Sequence, residues 1–459
     1  MSYLENLMQE NSTAVVESNQ SSAEGYGLID NADYLTRCQV DTPIDIVSIV
    51  WKVAHKYRDS FEYVLDAGAG DGRFAKEGNY DKYFGYEIDP KRIPCEDLPK
   101  KASIIRTCAF SNAQDHSYDL SIGNPPYVRH HDLSDEWRVN ISKWIYEKIG
   151  QKPSGLSNAY LYFLWLSIIS TRVDGLIVLV IPFEWVERPA ARKLREYIVG
   201  QSWSMDVYKF DVEPFPRVLT TASITVIDKR QTSAKVSYSA IDKSGAIRPL
   251  INATGSQLPP LKYQARVKSA YAQRGLSPGG QSVFVLTEQQ RIFFGLLVNI
   301  DVAPCVTTLK HVAADADLLD ENLFQSEYVD KGRRCWLILP SKEMSAALVR
   351  YIASVEPSAR NNYTCSKRKI WWEYPVHSAP SLLYSSGFRG DRPKALVNLI
   401  GAVAVGAVCG IHTQTELLAT KLISAIKNSI IKTEVVAVSR GFTKIEVNQM
   451  NAFIQRVLS

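Results

Sequence analysis

VLDAGAGDGRF, Val64 to Phe74, carries an apolar run into an acidic residue and then sets three glycines, Gly68, Gly70 and Gly72, at alternate positions. The run Tyr63 to Ala67 predicts a buried strand, and the glycines predict a turn that tolerates positive φ and lets a ligand approach its backbone closely. The next predicted strand, Tyr83 to Ile88, carries Glu87 in GYEIDP. A carboxylate at that strand end can accept both ribose hydroxyls of an adenosine. The spacing GAGDG is not the GxGxxG of a dinucleotide site, and Asp66 opens the turn. An acidic start suits a ligand with a positively charged amino group, such as S-adenosylmethionine, better than a pyrophosphate. A tight turn beside a solvated glutamate would explain the same residues without a ligand.

Working outward, Asp41 to Tyr57 predicts a helix, with Thr42 as its cap and Pro43 in its first turn. Tyr118 to Ile122 predicts a third strand, Ala159 to Thr171 a buried helix, and Gly175 to Ile181 (GLIVLVI) a strand of a sheet covered on both faces. Ala190 to Val199 reads as a helix, and Trp203 to Phe210 and Ala222 to Asp228 as strands. This alternation predicts a doubly wound α/β domain ending near residue 234. The expected organisation is a polar flexible tail over 1–24, a first domain over 25–234, a linker over 235–261 and an α+β second domain over 262–459.

A chain of 459 residues predicts two or three domains, and its 46% hydrophobic and 22% charged residues exclude collagen-like, mucin-like or wholly disordered classes. The net charge of +5 hides an asymmetry: residues 235–459 hold 27 Lys or Arg against 16 Asp or Glu, and the remainder 26 against 32. A basic second half suggests a polyanionic partner, although scatter over a solvated surface is the commoner cause of such an excess. Seven scattered cysteines without a CxxC pair indicate neither a disulfide scaffold nor a zinc site and fit a reducing cytoplasm. The N-terminus does not read as a secretory signal. Ala395 to Ile411 is apolar but short for a membrane span, and its glycines suit packed strands and turns, so no membrane is expected.

The second decisive motif is IGNPPYVRH after the third strand. Two prolines fix φ and remove two amide donors, leaving the Pro125 carbonyl on a rigid backbone next to the Asn124 amide oxygen. Two acceptors in a fork match the two hydrogens of a planar NH2 group, and Tyr127 offers a face to the ring that bears it. A rigid loop with a capping asparagine is the plainer explanation.

With VDTPIDIV, LDAGAGDGRF, GYEIDP, GNPPYV, GLIVLVIPFEWV and EPFPRVLTTASITVI in this order, the chain resembles the gamma-class, TaqI-like DNA N6-adenine methyltransferases of type II restriction–modification systems over about residues 38–230, and more loosely beyond. The resemblance implies a doubly wound class I S-adenosylmethionine-dependent methyltransferase fold followed by an α+β target-recognition domain. It implies that Thr42 and Pro43 lie against the methionine part of the cofactor, that Asp66 accepts from its amino group, with Gly68 and Gly70 in the turn, that Glu87 holds the ribose and that Ile88 packs on the adenine. Asn124, Pro125, Pro126 and Tyr127 would form the catalytic loop, and Phe215 in EPFP would press on a flipped target base. RTCAFSNAQD keeps the family's Phe as Phe110 but sets Ala109 where an Asp usually reads the cofactor's adenine amino group, leaving that task to a backbone carbonyl or Asn112.

The expected chemistry is transfer of a methyl group to the N6 amino group of an adenine flipped from double-stranded DNA, with S-adenosylmethionine as donor and no metal. Hydrogen bonds accepted by Asn124 and the Pro125 carbonyl would pull the nitrogen towards a tetrahedral shape. In SKRKIWWEYP, Lys367, Arg368 and Lys369 stand beside two tryptophans and, with Arg389 and Arg392 of GFRGDRP, are candidates for DNA contact. His130 and His131 after the catalytic loop are expected to be solvated or to face the DNA backbone. The resemblance also implies a monomer and a separate cognate restriction endonuclease. The rival readings are an RNA or protein-glutamine methyltransferase using the same NPPY loop, and a non-catalytic DNA-binding specificity module.

Overall fold

The computed structural model describes residues 40–89, 91–92, 94–211, 214–215, 221–230, 235–250, 268–340, 344–435, 437–439 and 442–459. The predicted tail over 1–24 lies outside them. The chain divides into two compact units, Met1–Pro259 and Pro260–Ser459.

The first unit is built on a nine-stranded sheet. β1 (Phe61–Asp66), β2 (Tyr80–Tyr86), β3 (Ala102–Ile105), β4 (Tyr118–Gly123) and β5 (Thr171–Pro182) run parallel in the order β3-β2-β1-β4-β5. The chain winds outward from β1 to β3 and then returns to the other side of β1, so the winding reverses between β1 and β4. In open α/β sheets ligands bind at the carboxyl ends of the strands where the order reverses. β7 (Ala222–Asp228) inserts antiparallel between β5 and β6 (Ser204–Phe210). The doubly wound α/β class expected from the alternation of apolar runs is present.

Both faces are covered, which is why β5 reads as an uninterrupted apolar run. α1 (Ile44–His55) starts after Pro43 and buries Ile46, Val47, Ile49, Val50, Trp51 and Val53 against Val64, Leu120, Ile122 and Val178. Each aliphatic side chain so buried contributes about 1.5–3 kcal/mol. A two-residue helical turn step would not bring these positions together; the i, i+3, i+4 recurrence does. On the opposite side the Ser121 hydroxyl of β4 meets the Ser167 hydroxyl at 2.8 Å. Ser167 belongs to a helix buried along its whole length, Ala159–Ser170, between the sheet and the amphipathic helix Asp135–Ile149, which Ser134 caps and Gly150 ends in the left-handed conformation.

Two expectations are corrected. Residues 235–261, read as a linker from their Ser, Gly, Pro and Asn content, contain β8 (Val236–Ile241), parallel to β6, and β9 (Ile247–Pro249), antiparallel to β8. They extend the sheet because the end of β8, Ala240 and Ile241, finds core to bury against, which polar composition conceals. Consequently the first unit runs past residue 234 to Pro259.

The second unit is of mixed α and β character. Its largest sheet orders Ala270–Gln273, Val408–Thr413, Leu382–Ser385, Ala395–Asn398 and Leu318–Leu319, with helices Glu416–Asn428 and Val447–Leu458 packed on it through Leu422, Ile426, Phe453 and Ile454. The apolar segment 395–411 is thus divided into strands and turns, and among the described residues no helix is long and apolar enough to cross a membrane. Of the seven cysteines, the six described are free.

One charge in the first core has a structural task. Lys229, 6% exposed after β7, donates from Nζ to the Thr171 carbonyl at 2.6 Å and the Ile168 carbonyl at 3.1 Å, capping the buried helix Ala159–Ser170, and lies 5.0 Å from the Trp203 ring centre. Burial lowers its pKa to about 8. Between that value and the ordinary 10.5 the unfolded chain holds the proton more tightly, so this group makes stability rise with pH across the window. Lys229→Met should cost about 1–3 kcal/mol at pH 7 by removing the buried donor shared by two carbonyls, and should flatten the stability profile between pH 8 and 10. Urea denaturation of both proteins across that range measures it; parallel profiles would contradict the capping role.

Candidate active site

The reversal between β1 and β4 brings the predicted residues to one place. Asp66 ends β1 and is 1% exposed. Burial pushes its carboxyl up to about 7, against hydrogen bonds from the Tyr83 hydroxyl, at 2.6 Å to Oδ2, and from the Gly68 amide; the nearby carboxylates Glu87 and Asp71 push in the same direction as burial. Gly123 ends β4 with φ +145°, and a Cβ there would lie 2.3 Å from Asp66 Oδ1. The glycine before Asn124 is therefore needed both for its backbone and because the carboxylate occupies the space of a side chain.

Glu87 stands just past β2, where Oε2 accepts from the Gly70 amide at 2.9 Å and Oε1 from the Asp89 amide at 2.8 Å. A carboxylate has about four lone-pair sites, so both oxygens retain capacity for ribose hydroxyls. Ile88 is 42% exposed, a large apolar side chain facing solvent beside this carboxylate. Arg92 reaches the same turn and pairs with Asp41.

A second set of contacts joins the glycine turn to the loop over 124–127. Arg73 grips Asp71 with two hydrogen bonds, of 2.9 and 2.6 Å, lies 3.3 Å from Asp41, and donates from Nη1 to the Thr42 carbonyl at 2.7 Å. Thr42, itself buried, accepts at Oγ1 from Asn124 Nδ2 at 3.1 Å. Asn124 Oδ1 is buried and has no hydrogen-bond partner among the described residues. Pro126 Cδ comes within 3.4 Å of an ideal Cβ position on Gly68, so the proline pair lies against the glycine turn. Tyr127 donates to the Val180 carbonyl at 2.9 Å and meets Tyr160 edge to face at 6.0 Å.

Residues 75–215 match the Eco57I restriction-modification methylase family, and residues 262–441 match the C-terminal domain of the type II methyltransferase M.Eco57I. The chain belongs to the type II restriction–modification methyltransferases. It is 22% identical over 434 residues to the type II methyltransferase M.XamI of Xanthomonas campestris pv. amaranthicola, covering 84% of this chain and 78% of that one. It is 30% identical over 128 residues to M.AccI of Acinetobacter calcoaceticus, covering 28% of this chain and 23% of the relative. Among solved structures, the type IIL restriction-modification enzyme MmeI in complex with DNA shares the fold, with a TM-score of 0.52 and 11% identity over 96% of this chain and 69% of that chain.

The first unit of this methyltransferase has the class I S-adenosylmethionine-dependent fold, and its residues fit that cofactor. A buried carboxylate held up to about 7 is relieved by a cationic amino group, and an acidic strand end with a neighbouring exposed isoleucine suits a nucleoside. Other predicted residues are turned elsewhere. Phe110 is buried edge to face against Trp137, Trp144 and Phe163, and the Asn112 amide donates inward to Thr107 and the Cys108 carbonyl. Phe215, expected to press on a target base, is 1% exposed and packed in the main core with Tyr208, Phe210 and Val180. An aromatic that follows a strand end gains more from that apolar enclosure than from solvent. His130 and His131 stack edge to face in a short turn, with His131 3.5 Å from Asp132.

In the second unit of the methyltransferase Lys367 and Lys369 are exposed, but Arg368 is not a free cation. It donates to the Pro278 carbonyl at 2.7 Å and lies over Tyr374 and Phe284, so it packs the core beneath the loop. Arg389 and Arg392 are exposed and line a concavity of about 1440 Å³ together with Arg274, Lys310, Lys394 and Lys444. Asp41, Asp71, Arg73, Tyr83 and Arg92 escaped sequence reasoning; only the Asp and Arg inside GDGRF stood close enough to a motif to have been suspected.

Gly123→Ala should strain the backbone by about 1–3 kcal/mol and displace Asp66. A lower melting temperature together with weakened S-adenosylhomocysteine binding is expected; an unchanged affinity would show that the Asp66 position does not depend on Gly123.

Proposed function

We propose that the chain methylates the N6 amino group of an adenine flipped out of a specific duplex sequence, in the manner of the gamma class, and so protects that sequence from a separate restriction endonuclease. The observation that carries this reading is Asn124 Oδ1, a buried acceptor without a donor beside a rigid Pro-Pro backbone. Leaving such an oxygen unsatisfied costs about 1–3 kcal/mol, so its retention next to a cofactor turn calls for a donor brought by substrate.

S-adenosylmethionine, when bound, supplies an electrophilic methyl group. Asp66 pairs with its amino group, Glu87 with the ribose hydroxyls, Ile88 packs on the adenine, and Thr42, Pro43, Gly68 and Gly70 enclose the amino-acid end. Asn124 Oδ1 and the Pro125 carbonyl accept the two hydrogens of the target amine, withdrawing its lone pair from ring conjugation and orienting it. Holding the reacting groups in place is worth up to about 7–11 kcal/mol in favourable cases. Flipping costs a few kcal/mol, which the Tyr127 ring offsets by stacking. Phe215 can share that task only after leaving its enclosure. The basic concavity around Arg389 and Arg392, with the exposed Lys367 and Lys369, supplies phosphate contacts that bind a duplex in any sequence and position it.

Incubation with methyl-labelled S-adenosylmethionine and DNA, followed by mapping of modified bases, tests the class. N6-methyladenine at one short sequence is expected, Asn124→Ala should abolish its formation while cofactor affinity stays within a few-fold, and label on RNA or protein alone would overturn the reading. The Asp66 carboxyl adds a pH signature. An ammonium favours the ionised form, so cofactor affinity should rise from pH 5 up to about 7, by as much as about tenfold per pH unit, and then level. Titration calorimetry reads this directly, and a flat profile from pH 5 to 7.5 would remove Asp66 from the amino-group site.

A further inference from the structure

The structure assigns Thr42 a task beyond enclosing the cofactor: we propose that its hydroxyl orients the Asn124 amide, making it a positioning residue that decides which end of that amide faces the target amine. This inference rests on the function proposed above and concerns how its acceptor fork is set.

An asparagine amide is nearly symmetric in shape, and its two ends differ only in that one accepts and the other donates. A target NH2 group presents hydrogens, so only the oxygen is productive. The amide must therefore be held against a rotation of 180°, which sterics alone barely oppose. The hydrogen bond from Asn124 Nδ2 to Thr42 Oγ1, at 3.1 Å, fixes the amide plane and satisfies its nitrogen end; since a hydroxyl can also donate to an oxygen, the preference comes from what rotation would strand on the other side. In the rotated state two N–H donors would occupy the buried place where Oδ1 has no partner, and two orphaned donors cost more than one orphaned acceptor.

The anchor is itself fixed. Thr42 is buried, and its carbonyl is held at 2.7 Å by Arg73, whose guanidinium is gripped by both oxygens of Asp71. Asp71 and Arg73 belong to the glycine turn, so the turn that would hold the cofactor and the acceptor that would hold the base are joined through four side chains, Asp71, Arg73, Thr42 and Asn124.

Thr42→Val keeps the shape and removes the acceptor, whereas Thr42→Ser keeps the acceptor and removes a methyl. Single-turnover methylation of a duplex carrying the mapped site, at saturating cofactor and DNA, should slow by roughly 10- to 100-fold in the valine variant, the range for partners that orient a functional group, and by less than about threefold in the serine variant. Melting temperature and S-adenosylhomocysteine affinity, measured in parallel, should stay close to wild type for serine, and for valine should change far less than the rate. A valine variant at wild-type rate, a deficit that saturating cofactor restores, or a serine variant as slow as valine would each overturn the assignment. A wild-type protein that methylates no nucleic acid would instead remove the function on which it rests, and methylation of the cytosine amine in place of adenine would leave the Thr42 assignment standing.

Discussion

A carboxylate buried at the carboxyl end of the central strand sets the terms for the rest of the first unit. Removing a charge from water is costly unless it is paired, and Asp66 has only the Tyr83 hydroxyl and the Gly68 amide for company. Burial therefore holds its pKa up to about 7. The neighbouring elements are shaped around it: β2 must carry a tyrosine at position 83, β4 must end in a residue without a side chain, and the chain leaving Gly123 is thereby aimed so that Asn124 follows at once.

The glycine turn has a second role that its composition does not announce. Gly70 presents its amide to Glu87, while Asp71 holds Arg73, whose guanidinium binds the segment that precedes α1. Thr42 and Asn124 are far apart in the chain and meet where this arginine holds the Thr42 carbonyl and the buried face of α1 fixes the helix start. Cofactor turn, helix entry and acceptor loop form one hydrogen-bonded unit, a suitable basis for chemistry whose rate depends on orientation.

Charge is divided between the halves for a comparable reason. The acidic first unit concentrates carboxylates where a cationic ligand is expected, and the basic second unit places Arg274, Lys310, Arg389 and Arg392 around one concavity. Not every cation there serves binding. Arg368 commits its guanidinium to two carbonyls and two aromatic faces, which shows that basic residues beside tryptophans can be core-supporting rather than ligand-facing.

The motif residues and the α/β alternation were legible because each is a local matter. An apolar run ending in Asp66, glycines at alternate positions and two prolines after Asn124 impose backbone geometry on their own neighbours, and α1 and β7 announce themselves by periodicity. The strands β8 and β9 were not legible, since a polar segment becomes a strand only when a sheet edge is there to pair with it. Nor was the direction of Phe110, Phe215 and Arg368, because burial of one side chain depends on what other segments bring against it. The sequence by itself determined the fold class and the backbone geometry of the glycine turn and of the Asn-Pro-Pro loop. Tertiary structure alone decided that Asp66 is buried against Gly123, that Arg73 ties Thr42 to the turn, and that Asn124 is left with one end bonded and the other waiting, because each of these is a contact between residues the chain keeps far apart.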